Sequence, residues 1–281
     1  MADISKIIGK NIVDYSKIFG ITIEDLASVM DVDIFISILL TGVVGLFGGG
    51  STGSVSNVID CVTIATTGNA KNFGDLSEAR SFLAACSSST RGIFGGGYIT
   101  TAQNVIDYVT IASRGNATDF GDLIVARSDL AACSSSTRGL FGGGYISTHS
   151  NVIDYVTIAT SGGTATDFGD LSEARYYLAA CSSSTRGIFG GGYTGSNSNV
   201  IDYVTIATAG GTATDFGDLI VARRFLAACS SSTRGIFGGG SPTINVIDYV
   251  TIASTGNATD FGDLDVAKCG LVACSNGHGG L

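Results

Sequence analysis

Few side chains in this sequence could act as catalysts, and those few are scattered. The two histidines, His149 and His278, stand in unrelated contexts, and neither belongs to a metal-binding histidine pair. Glycine triplets such as Gly95-Gly-Gly97 lack the Lys-Ser/Thr that completes a phosphate loop. Aspartate pairs such as Asp119 and Asp122 recur from copy to copy of a repeat, which suits a scaffold better than a single active site. They also lack the Asp-x-Asp-x-Asp-Gly spacing of a calcium loop, which must gather about six to eight oxygens. Cys86, Cys133, Cys181, Cys229 and Cys274 each sit in Ala-Cys-Ser at one repeat position. A whole repeat unit displaces each from the next, whereas a disulfide needs a Cα separation of about 4.4–6.8 Å. They read as small buried side chains in a reducing compartment. No catalytic residue, metal or cofactor is expected.

The more useful chemistry lies where the copies differ. Phe82, Tyr176, Tyr177, Arg224 and Phe225 fall in one set of loops; Tyr98, Tyr145, His149 and Tyr193 fall in another. Flat rings beside a guanidinium suit a sugar ring or a protein epitope. These nine are the candidate ligand-binding residues.

What must position them is the repeat itself. Arg91-Gly-Ile-Phe-Gly-Gly-Gly97 returns almost unchanged at Arg138–Gly144, Arg186–Gly192 and Arg234–Gly240, and Gly45-Leu-Phe-Gly-Gly-Gly50 is a partial copy. The matching phenylalanines, Phe47, Phe94, Phe141, Phe189 and Phe237, recur at spacings of 47 or 48 residues. A period of this length points to an array or a ring. Within one copy, Leu83–Ser88 reads as a short apolar first strand and Ser89–Gly92 as a turn. Ile93–Gly96 is a second strand ending in glycine. Val105, Asp107, Val109 and Ile111 alternate with Ile106, Tyr108 and Thr110, so a third strand follows. Ala117–Leu123 is a short fourth strand, and no stretch of the repeat has helical periodicity.

Four antiparallel strands in about 40–50 residues, repeated, describe a β-propeller blade. Here the residues resemble kelch repeats: Phe94-Gly-Gly-Gly-Tyr98, then Tyr108, then Phe120 and Leu123, then Arg127. Phe120 stands where that family usually has Trp, as do Phe73, Phe168, Phe216 and Phe261. The expected fold is all-β: a kelch-like propeller of five four-stranded blades spanning residues 44–281. The first-strand pattern returns once more at Leu271–Ser275, so this segment is expected to complete the blade begun by Leu46–Gly50, a mixed-terminus closure. Ile36–Leu40 is the rival for the same place. In an antiparallel blade the loop joining strands two and three shares a face with the loop entering the next blade. Nearly all variation falls on that face, whereas Ser-Ser-Ser-Thr-Arg-Gly repeats verbatim on the other. Loops that vary on a fixed scaffold are where recognition concentrates.

A net charge of −9 excludes nucleic acid, whose phosphates need clustered Lys and Arg. The start, Met1-Ala-Asp-Ile-Ser-Lys, shows no secretory signal pattern. Ile34–Phe47 is apolar but shorter than the roughly 20 residues of a membrane span, so no span is expected. Residues 1–43 form a separate segment, with Ile4-Ser-Lys-Ile7, Tyr15-Ser-Lys-Ile18 and Ala27-Ser-Val29 recurring at spacings of 11 and 12 residues. So short a segment buries its own apolar face poorly, so it is expected to pack on the ring, on another copy or on a larger assembly. The leader Ile-Ser-Lys-Ile-x-Gly and the near-identical repeats resemble bacteriophage virion structural proteins. That resemblance implies a tail fibre, adhesin or decoration protein located in the virion, assembled in the host cytoplasm. It implies docking to other virion proteins through residues 1–43, a host surface glycan or protein as ligand, and a homo-oligomer as a possible state.

Overall fold

A computed structural model describes residues 44–160, 162–208 and 210–275; the expectations for residues 1–43 lie outside these. The described residues form a five-bladed all-β propeller with no helix among them. Blade one holds β1 (Val44–Gly48), β2 (Val58–Thr63) and β3 (Lys71–Asp75). Blade two holds β4 (Ala84–Ser87), β5 (Arg91–Gly95), β6 (Val105–Thr110) and β7 (Thr118–Asp122). Blade three holds β8 (Ala131–Ser134), β9 (Arg138–Gly142), β10 (Val152–Thr157) and β11 (Thr166–Asp170). Blade four holds β12 (Ala179–Ser182), β13 (Arg186–Gly190), β14 (Val200–Thr205) and β15 (Thr214–Asp218). Blade five holds β16 (Ala227–Ser230), β17 (Arg234–Gly238), β18 (Val246–Thr251) and β19 (Thr259–Asp263). Every pairing is antiparallel and runs in chain order. The expected second strand begins two residues early, at Arg91, because its backbone already pairs with Thr110 of β6.

The glycine triplet explains how blades stack. Gly95 takes the flat ring of Phe141 from the next blade; a Cβ there would lie 2.6 Å from that ring. Gly96 has φ +67°, a left-handed backbone that favours glycine. The same contact joins Gly48 to Phe94, Gly142 to Phe189 and Gly190 to Phe237. The core is therefore a row of inter-blade clusters, each built from two neighbouring sheets: Ile93, Ile106, Phe120 and Leu123 of blade two pack with Phe141 and Val156 of blade three.

Four buried ion pairs fix the entries to blades two to five. Arg80–Asp107, Arg127–Asp154, Arg175–Asp202 and Arg223–Asp248 lie at 2.9–3.0 Å, all fully buried. A buried Arg without its Asp would be an uncompensated charge, so each pair enforces the register of its blade. The five repeated cysteines and Cys61 and Cys269 are all free thiols. Burial pushes the thiols of Cys86 and Cys181 up to about 12, so they stay protonated and inert.

The segment after blade five repeats contacts that a first strand makes in the other blades. Ser275 Oγ donates to Ser230 O at 2.7 Å, repeating the contacts of Ser134 to Ser87 and Ser182 to Ser134. Gly240 N donates to Lys268 O as Gly97 N does to Arg127 O. Residues 268–275 thus follow blade five in the place where the next blade's first strand begins. They make no strand ladder with β1, and blade one has three strands among the described residues. Accordingly Phe47 is 56% exposed where Phe141, Phe189 and Phe237 are 0%. No described helix is long and apolar enough to cross a membrane.

Candidate functional site

The strand order places the second-to-third loops and the blade-entry loops on one face, and backbone bridges tie them together. Ser81 pairs with Tyr98, Ser128 with Tyr145, Tyr176 with Tyr193 and Arg224 with Ser241. One residue later, a chain of hydrogen bonds runs from blade to blade at the mouth of the central axis. Asp129 N donates to Phe82 O, Tyr177 N to Asp129 O, Phe225 N to Tyr177 O and Gly270 N to Phe225 O, at 2.9–3.0 Å. Phe82, Asp129, Tyr177 and Phe225 all have φ between 53° and 57°. The fifth member, Gly270, is the residue type this conformation favours. The only other left-handed non-glycine among the described residues is Ser147, two residues before His149. All five therefore lie on the variable face. Backbone strain of this kind, on the order of 1–3 kcal/mol each, persists where the surroundings hold it, and it concentrates at binding sites.

The side chains on this scaffold form one aromatic ridge. Tyr176 sits at its centre, with ring centroids 5.2 Å from Tyr145, 5.3 Å from His149, 4.4 Å from Tyr177 and 5.6 Å from Tyr193. Tyr177 stacks on Phe225 at 3.7 Å. The Arg224 guanidinium lies 4.6 Å over Tyr193 and donates to Asn197 Oδ1 at 2.8 Å. Asn197 Nδ2 in turn donates to Ser241 O, so the guanidinium is held from two sides. Burial raises the hydroxyl pKa of Tyr176, helped by Tyr193 and Tyr145, and that of Tyr177, helped by Asp129. Both stay neutral donors. Burial also raises Asp129, partly offset by the Ser128 hydroxyl on Oδ2; its Oδ1 is buried without a partner. Flat rings, neutral tyrosine hydroxyls and one cation can stack on and hydrogen-bond a polyhydroxylated ligand.

Seven of the nine expected residues join this ridge: Tyr145, His149, Tyr176, Tyr177, Tyr193, Arg224 and Phe225. Phe82 and Tyr98 share the face, but neither ring stacks on another. Aromatic counting misses Asp129 and Asn197, although both occupy variable loop positions, which is the signal that finds them.

Other candidate chemistry resolves into scaffold. Asp119, Asp167, Asp215 and Asp260 each accept from the backbone N–H two residues on. Arg91, Arg138, Arg186 and Arg234 stack on Tyr108, Tyr155, Tyr203 and Tyr249 at 4.4–4.6 Å. The first three also donate to carbonyls of the following blade, at Ile158, Ile206 and Ile252. Gly49-Gly-Ser-Thr-Gly53 matches the Gly-x-Ser-x-Gly pattern of hydrolases, but Ser51 sits in a strand-to-strand loop, not the strand-to-helix elbow that pattern requires. Among the described residues no group of three or more His, Cys, Asp or Glu is placed to hold a metal. No protein-family model matches this chain, and no curated protein sequence matches it.

Proposed function

We propose that this protein is a non-enzymatic adhesive component of a bacteriophage particle, its propeller presenting the variable face to a glycan or protein of the host surface. The observation that carries the binding role is the aromatic ridge centred on Tyr176, built on backbone conformations that favour glycine. The virion setting, and the docking of residues 1–43 to other particle proteins, rest on the resemblance of the leader and repeats to that class. So does the kelch-like character of the repeats.

The binding role is tested by probing an array of bacterial surface glycans with the full chain, beside a Tyr176→Ala/Tyr177→Ala variant. Saturable binding that the variant loses, with an unchanged melting temperature, supports the face. Binding retained by the variant removes it. The setting is tested by immunogold electron microscopy of purified particles with antibody to residues 44–281. Label on tail or head supports a virion protein; no label leaves a cellular interaction scaffold as the better reading.

A further inference from the structure

The opposite face is not uniform. In blades two to five it repeats one device: an arginine at the start of the second strand covers a tyrosine of the third. In blade one Val44 stands at the arginine position and Cys61 at the tyrosine position. Both replacements are smaller, and a hollow of about 220 Å³ opens there. It lies between β1, β2 and the neighbouring turn of blade two, where the missing arginine would reach.

Two further departures from the repeat meet in the same hollow. Lys71 lines it where the other copies have Thr118, Thr166, Thr214 and Thr259. Arg114 lines it where the others have Thr67, Ser161, Ala209 and Thr255. Neither takes part in any ion pair among the described residues. Arg114 Nε is buried and has no hydrogen-bond partner. Among the described residues no carboxylate lines the hollow, although the chain carries a net charge of −9. The remaining wall combines apolar surface from Val44 and Val62 with the polar groups of Thr63, Thr66 and Asn69. Four departures in an otherwise repeated sequence thus converge on one cavity: two make room and two supply positive charge.

We propose that this hollow is a second binding site, for a sugar-sized ligand carrying a carboxylate, sulfate or phosphate. Arg114 takes the oxyanion, because a planar guanidinium matches its geometry with paired donors. Lys71 adds a mobile point charge at the rim. The threonine hydroxyls and the Asn69 amide meet ligand hydroxyls, and Val44 and Val62 meet its C–H face. The volume is below the roughly 300–1,000 Å³ of sites for drug-sized ligands, so one monosaccharide unit is the scale. This site is independent of the aromatic ridge, which lies on the other face.

The test is isothermal titration calorimetry of the full chain with glucuronate, glucose 6-sulfate and glucose 6-phosphate, with glucose as the uncharged control. Saturable binding of at least one anion, weakened by salt and absent for glucose, is expected. Lys71→Thr/Arg114→Thr places residues found in other blades at both positions, and is expected to weaken binding at least about tenfold with little change in melting temperature. Cys61→Tyr, which refills the hollow with the repeat's own side chain, is expected to abolish it. Absence of binding by all three anions overturns the proposal, as does full affinity in the double variant. If Arg114→Thr does not fold, Lys71→Thr alone decides: lower affinity supports the site and unchanged affinity overturns it.

Discussion

At the residue scale the protein keeps side chains where its backbone asks for glycine. Phe82 has φ 53° and is 56% exposed, so its ring contributes little burial to offset the conformation. Phe82→Gly is expected to raise the melting temperature by about 2–4 °C, the effect of roughly 1 kcal/mol in a chain of this size; an unchanged or lower value would show that the ring packs. Phe225→Gly, at the same backbone geometry, removes the stack on Tyr177 and is expected to gain less. A second residue-scale effect is electrostatic. Burial outweighs the neighbouring Arg127 and lifts the Asp154 carboxyl from 3.8 to about 6, and Asp248 shifts the same way for the same cause. A carboxyl that holds its proton more tightly in the folded state stabilises the fold fully below its unfolded pKa. That contribution is lost as pH rises through the folded value. Thermal stability is therefore expected to fall by a few degrees between about pH 4 and 6.5. Asp154→Asn lowers stability overall, because Arg127 loses its buried partner, but flattens that slope. An unchanged slope in the variant would assign the pH dependence elsewhere.

At the element scale the unit of stability is the joint between blades, not the blade. The second strands of blades one to four each end in a glycine that receives the next blade's phenylalanine. Gly142→Ala places a methyl 2.6 Å from the fully buried Phe189 ring. Overpacking of this kind costs about 1–3 kcal/mol, so a lower denaturation midpoint is expected. The short strands matter less individually, since their ladders are continuous with well-paired neighbours. This arrangement also accounts for the asymmetry of the two faces. The more constant face carries Arg91, Arg138 and Arg186, whose guanidinium groups staple successive blades and leave little freedom to vary there. The loops on the ridge face make backbone bridges, which any side chain can satisfy.

At the scale of the whole molecule the two ends carry matching halves of one joint. Phe47 is exposed, and among the described residues Gly238 has no aromatic ring against it. Lys268 stands at the position of Arg80 and Arg127, and Asp60 at that of Asp107 and Asp154. An exposed ring, and a β1 edge unpaired among the described residues, are costly to leave in water, so the ends are expected to meet in solution. Gly238→Ala should then lower stability as much as Gly142→Ala does; a neutral Gly238→Ala would show that Phe47 does not seat there. Light-scattering mass separates two ways of meeting. A monomer closes its own ring, and a larger species joins copies head to tail, because such a joint uses different surfaces on its two sides.

The period of Phe47, Phe94, Phe141, Phe189 and Phe237, with the alternation in Val105–Ala112, was enough to specify an all-β ring of repeated sheets. Those patterns reflect local requirements: a pleat shows two faces, and each glycine pair faces a ring. The variable face was also legible, because antiparallel order alone sends alternate loops to one side. Tertiary structure decided what sequence spacing does not encode. It selected Tyr176 as the centre of a ridge and left Phe82 and Tyr98 outside it, since side-chain contacts depend on loop geometry across three blades. It brought Val44, Cys61, Lys71 and Arg114 to one hollow, although the first and last are 70 positions apart in the chain. Each of these four departures is visible in the sequence; only the packing of blade one against blade two makes them neighbours.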